Sequence, residues 1–398
     1  MTLIDELRER FPPIILLLAL LSAFPPLATD MYLPALPLLQ QQWQVPLVTI
    51  NLTLVTFFIT YCGFLLVYGP LSDRYGRKPP LLAGVGLFIL SCLLCAAAQS
   101  PGMLIGGRII QGAGAAAASA IVFAVSKDRF SGQQRQRVFI QIGVIVAAAP
   151  MIAPILGGWI LALLSWRWIF LLQAALGALA FVGVLRMQES LHPETPPGFA
   201  EVARSYVRLF GNTRYILLLA TLSCTCVPVF AFIGGSPDLY ITRLGFNEQQ
   251  FGYFFGFNAL AFVLAPLTFS RVVRYVPITR LMPCAFSGML ISSLLLLCPW
   301  LPLPWRLTLP MFCLTFCFSF CRPAGNNLIL EQVRRDTGAA SSLMVFCYFM
   351  IGALGMWVFS FDWQDKISAL AVMGSGSALC TLMLWGVVRR RLLTVGGD

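Results

Sequence analysis

Charge is what this chain of 398 residues has least of: Asp, Glu, Lys and Arg make up 11% of it, against 58% hydrophobic residues. Soluble domains carry about 25% charged and about 45–50% apolar residues, so a water-soluble globule is excluded. Histidine occurs once, at His192, in a Pro- and Glu-rich stretch where it reads as a solvated residue without a task. A Ser-His-Asp set, a metal-ligand spacing and a phosphate-cradling Gly-Lys loop are all missing. The first two absences argue against an enzyme, and the third excludes an ATP-driven pump. No sizeable polar domain is left to serve a receptor. No small-residue cleavage site follows the first apolar stretch, which therefore reads as part of the fold and not as a signal peptide.

Long apolar runs are what is there. Crossing a bilayer takes about 20 largely apolar residues per helix, and runs of that kind fall near 12–38, 47–71, 79–98, 102–126, 135–162, 165–187, 213–242, 247–271, 278–298, 306–331, 337–361 and 366–389. Their lengths fit helices, whereas a barrel would show alternation over about ten residues. The net charge of +11 invites a nucleic-acid partner, but its distribution argues for a bilayer instead. Twenty-one of the 27 Lys and Arg lie in the termini and loops on one side, four (Arg167, Arg243, Arg306 and Lys366) on the other, and Arg108 and Arg322 inside spans. That bias is the positive-inside rule. It predicts a multi-pass protein of the bacterial inner membrane with both termini cytoplasmic, surrounded by lipid and binding no nucleic acid.

All twelve cysteines fall within expected helices, so no disulfide is expected. Cys313, Cys317 and Cys321 form a stripe that reads as small-residue packing, since no His or further thiol joins it to make a metal site. The longest polar break, 188–212, holds a Pro cluster and an amphipathic "FAEVARSYVRLF". It divides the chain into an N-terminal six-helix bundle (1–187), a linker with a membrane-surface helix (188–212) and a C-terminal six-helix bundle (213–398). The halves echo each other. Asp30-Met-Tyr in the first span is echoed by Asp238-Leu-Tyr in the seventh, and Arg108 in the fourth by Arg322 in the tenth. Parallel six-helix repeats with a site at mid-membrane are a transporter architecture.

Between the second and third spans runs "GPLSDRYGRKPPLL", a tight turn that keeps three cations at one face. Gly69, Asp73, Arg74, Gly76, Arg77 and Lys78 resemble the signature loop of the major facilitator superfamily, where such residues gate the conformational change. Asp73 is expected to pair with the nearby arginines or to face a helix N-terminus. Arg108, Gln111, Gly112 and Gly114 resemble the family's fourth-span pattern. "APMIAPILGGW", with Pro150, Pro154, Gly157 and Gly158, resembles its exporter motif, although Ala153 replaces a usual glycine. "DMYLPALP", "FIGGSPDLYI" and "TGAASSL" are similar to the bicyclomycin and chloramphenicol resistance (Bcr/CflA) group of drug:proton antiporters. The resemblance implies an all-α membrane protein of twelve helices in two pseudo-symmetric six-helix bundles, monomeric, with protons as coupling ion and no other cofactor.

An acid inside a span is costly and functional by default. Asp30 lies about eight residues, or ~12 Å, from the outer end of its span, and Arg108 about six residues, or ~9 Å, from the outer end of the fourth. In the family fold these spans are neighbours. The pair is therefore expected either to couple proton binding to transport or to be a permanent salt bridge fixing helix packing. Asp238, beside Pro237, is expected at a helix end with its carboxylate solvated. Candidate cavity residues are Phe24, Tyr32, Gln111, Phe230, Phe232, Asp238, Asn326 and Phe346, with Tyr348, Asn258 and Asn327 beside them. Such a lining suits neutral or weakly cationic amphipathic cargo. The expected function is proton-coupled export of small amphipathic drugs; the alternative is export of a metabolite such as a nucleoside or amino acid, with drugs as incidental cargo.

Overall fold

The computed structural model describes residues 13–190, 199–299, 302–333 and 337–393. His192 and the Pro cluster of the linker lie outside the described residues. Among the described residues, twelve helices are long and apolar enough to cross a membrane. They run Ile14–Trp43, Leu47–Tyr75, Lys78–Ala96, Pro101–Arg129, Gln141–Leu163, Arg167–Arg186, Thr213–Arg243, Glu248–Val272, Ile278–Leu295, Trp305–Glu331, Thr337–Phe359 and Lys366–Arg390. Helix is the only open-chain structure that satisfies every backbone N–H and C=O inside hydrocarbon. Polar side chains mark several helix starts. Ser100 accepts from Met103 N at the fourth span, Asn247 and Gln250 form a capping box at the eighth, and Asp365 accepts from Ile367 N and Ser368 N at the twelfth.

The first and seventh spans are not continuous helices. The first is built from Pro13–Ser22, Phe24–Asp30, a 3₁₀ turn at Leu33–Ala35, and Leu36–Trp43. Pro25, Pro26, Pro34 and Pro37 lack the N–H that a continuous ladder needs, which is why the run of apolar residues breaks there. The seventh consists of Thr213–Cys224, Cys226–Pro237 and a π-helical turn, Asp238–Arg243.

The chain divides into two compact units, Met1–Ala35 with Thr56–Phe199, and Leu36–Val55 with Ala200–Asp398. The sequence division at the linker assigned 36–55 to the N-terminal half; by contacts these residues belong to the second unit. Within it, Asn51 Nδ2 donates to Gly234 O at 3.2 Å and to Ser360 Oγ at 2.7 Å. Packing repeats from one unit to the other. The first span pairs with the fifth, and the third with the fourth and sixth; likewise the seventh pairs with the eleventh, and the ninth with the tenth and twelfth. In helix Phe199–Gly211, Ser205 and Leu209 are buried and Val207 and Phe210 are exposed.

Candidate functional site

Asp30 closes the segment Phe24–Asp30 and is 7% exposed. Its Oδ1 accepts from Thr29 Oγ1 at 3.0 Å, and that hydroxyl lies 2.9 Å from the Pro25 carbonyl. The last turn of a helix leaves carbonyls without intrahelical partners, and side chains of two other spans take them up. Arg108 Nη1 donates to Ala28 O at 2.8 Å, and Gln173 Nε2 donates to Leu27 O at 3.1 Å. Gln111 joins these two: it accepts from Arg108 Nη1 at 2.5 Å and donates to Gln173 Oε1 at 2.8 Å. The fully buried guanidinium lies over the rings of Phe57 and Tyr32, 4.6 and 5.1 Å from their centroids. The fifth span seats on the same break. Gly157 rests against the Met31 carbonyl, where any Cβ would collide, and Ala153, Pro154 and Gly158 are buried along the same stripe.

The loop after the second span is tied down by three carboxylates. Arg77 Nη1 pairs with Asp73 and its Nε with Asp128 Oδ2 at 2.8 Å. Burial of Arg77 works against its charge, but the carboxylates of Asp128 and Asp73 outweigh that and hold the guanidinium above its ordinary value. Gly76 turns the chain at a φ of +92°, a conformation glycine adopts without strain. Glu189 then accepts from the Arg77 and Lys78 amides at 2.8 and 3.0 Å. This places a negative charge on the N-terminal end of the third span, where the helix dipole favours it. Gly69 meets no atom within 4 Å of an added Cβ.

In the second unit Asp238 is buried, not solvated as expected. Lys366 Nζ lies 2.8 Å from its Oδ2 and Arg243 Nε 3.3 Å from the same oxygen. Arg243 reaches on to the carbonyls of Trp363 and Gln364. Asp238, Arg243 and Lys366 line a cavity of about 420 Å³ with Gln40, Ser360 and Asp362. Arg322 lies against the break in the seventh span, its Nη2 donating to Cys226 Sγ at 2.8 Å and to Thr225 Oγ1 at 3.3 Å.

Residues 18–356 match the family profile of the Major Facilitator Superfamily. The chain belongs to that superfamily. A bicyclomycin resistance protein homolog of Haemophilus influenzae is 28% identical to this facilitator over 395 residues, 96% of this chain and 98% of that one. A chloramphenicol resistance protein of Pseudomonas aeruginosa is 30% identical over 272 residues, covering 65% and 62%. The crystal structure of a D-xylose–proton symporter shares the fold with a TM-score of 0.76 at 15% identity, over 94% of this chain and 97% of that one. These are transporters, not enzymes, and the resistance relatives agree with the Bcr/CflA group suggested by the first-span residues.

The structure of this facilitator separates several residues that sequence had grouped. Asp30 and Arg108 do not form an ion pair among the described residues; the guanidinium grips the carbonyl two residues before the acid instead. Phe24, Tyr32, Gln111 and Phe232 are fully buried within their own units. Phe24 stacks on Phe88 at 4.4 Å and Phe232 on Phe255 at 6.0 Å. Phe230 is nearly buried against Phe349, while Asn326, which accepts from Tyr348 Oη, and Phe346 are half-buried. Pro150 is half-buried at the start of the exporter stripe. Cys317 packs on Gly288, the close contact its stripe suggested. Sequence reasoning missed Gln173, Lys366, Asp128 and Glu189. Gln173 had a signal, being a lone amide inside "WIFLLQAALG".

Proposed function

We propose that this facilitator is a proton-coupled antiporter that exports small amphipathic compounds, drugs among them, across the bacterial inner membrane by alternating access. In this reading both termini are cytoplasmic, the working unit is a monomer, and protons are the only cofactor. The observation that carries it is Asp30: a buried carboxylate whose described hydrogen bond comes from one neutral hydroxyl, at the end of a broken helix. A lone ionised group inside a bilayer is costly and marks an ion path. Protonation removes that charge. When the proton leaves, the counter-charge on hand is Arg108, whose Nη1 is held by neutral acceptors at Ala28 and Gln111. A shift of the fourth span against the first would trade the Ala28 carbonyl for the Asp30 carboxylate, so that proton occupancy and helix position depend on each other.

The names of the resistance relatives support drug cargo, and the exporter-like stripe seated beside Asp30 supports outward transport. Each proton entering across roughly 150 mV supplies about 3.5 kcal/mol. At ~1.4 kcal/mol per decade, that sustains a cargo gradient of a few hundred-fold. The test is transport by purified protein in liposomes, with an imposed pH gradient and a panel of drugs and metabolites. Asp30→Asn is expected to abolish gradient-driven flux while retaining exchange of cargo for cargo. Full gradient-driven export by that variant would refute the assignment.

A further inference from the structure

The tenth span carries a cation with no acid to answer it. Arg322 pairs with no carboxylate among the described residues; its Nη2 contacts are a thiol and a hydroxyl. Its carbon Cζ lies 4.2 Å from the centroid of Phe318 and 4.0 Å from that of Tyr348, so the guanidinium rests on two rings. Cation–π contact offsets part of the cost of burial, but rings accept no in-plane hydrogen bond. Nη1 is left buried with no partner. A buried donor without an acceptor is expensive, and a buried charge without a partner more so.

A second orphan lies along the same helix face. Asn258 of the eighth span receives the Thr315 hydroxyl at 3.1 Å on Oδ1, while its Nδ2 is buried without a partner. Thr315 and Arg322 are seven residues apart, so they share one face of the tenth span, about 10 Å apart along its axis. Phe318 stands between them. One stripe thus presents an unspent amide donor, an aromatic ring and an unspent guanidinium donor, all within the second unit.

We propose that this stripe is a cargo subsite in which Arg322 binds an anionic or strongly hydrogen-bond-accepting end of the molecule, a carboxylate being the strongest occupant. Asn258 meets a second acceptor and Phe318 the aromatic body between. The inference rests on the transport reading above and narrows it. Cargo is then an amphipathic aromatic anion, zwitterion or acceptor-rich neutral compound, not the weakly cationic class that composition alone suggested.

The experiment compares three probes of one shape and different charge, 4-phenylbutyrate, 4-phenylbutyramide and 4-phenylbutylamine. Binding to the purified full chain is measured by calorimetry without a pH gradient. The expected order is carboxylate, then amide, then amine. Arg322→Gln is expected to weaken the carboxylate about ten- to hundredfold, the worth of a hydrogen bond to a charged group, and to leave the amine unchanged. Arg322→Lys should keep the order with weaker binding, because a point charge lacks the fork. A carboxylate that binds no better than the amide, or equally well to Arg322→Gln, overturns the proposal. Should that variant fail to fold, the wild-type order alone decides. Anion preference without proton-driven flux in liposomes would sink the export reading and leave the subsite standing. Proton-driven export of the amine with no anion preference would do the reverse.

Discussion

Gln173 is one neutral amide in an otherwise apolar helix, yet it closes the network around the acid. It accepts from Gln111 and donates to the Leu27 carbonyl, three residues before Asp30. Replacing it with Leu orphans a buried carbonyl and a buried amide, at about 1–3 kcal/mol for each unsatisfied group. Gln173→Leu is therefore expected to lower the unfolding temperature of the detergent-solubilised protein and to slow transport, with Gln173→Glu restoring part of both. An unchanged unfolding temperature would show that the network contributes nothing to the break it spans. Asp238 makes a related point about distance in the chain. Its partner Lys366 is 128 residues away, and no local pattern at "SPDLYI" announces it. The sequence therefore disclosed that an acid was there, but not whether water or an ammonium group faced it.

Helices are where sequence and structure agree best, because membrane thickness dictates span length and hydrocarbon forbids polar interruptions. The breaks are harder to see. Hydropathy runs unbroken through Pro25, Pro26 and Pro34, and the end of a helix at Asp30 depends on Arg108 and Gln173 being there to receive its carbonyls. Helix ends also make a testable prediction outside the spans. Asp365 caps the twelfth: its carboxylate accepts from the Ser368 hydroxyl at 2.5 Å and from the amides of Ser368 and Ile367. The Ser368 hydroxyl chiefly holds this carboxyl below its ordinary 3.8, against the opposing effect of burial and with help from the Ser368 and Ile367 amides. A depressed folded value means the cap stabilises above the unfolded value and is lost as pH falls through the folded one. Asp365→Ala is expected to cost about 0.5–2 kcal/mol at neutral pH. Thermal melts should show the gap between the two proteins closing as the medium is acidified below the ordinary carboxylate value, and a constant gap would refute the capping role.

Taken whole, the molecule repeats its packing but not its chemistry. One unit holds a carboxylate served by a hydroxyl, the other a guanidinium served by a thiol and a hydroxyl. The repeat was legible because Asp30 and Asp238, and Arg108 and Arg322, recur at similar places in each half. The divergence was not, since it depends on which partners tertiary packing supplies.

The anchoring of Glu189 bears on how the two halves of the gene can be engineered. The polar break looks like free tether from its first residue, yet Glu189 is fastened to the backbone amides of Arg77 and Lys78. A reporter domain or a flexible Gly-Ser segment spliced in just after Ser190 should leave transport intact. The same insert placed between Met187 and Glu189 would pull that carboxylate off its helix, and the transport rate is expected to fall. Equal transport by both insertion variants in liposomes would mean the fastening is ornamental.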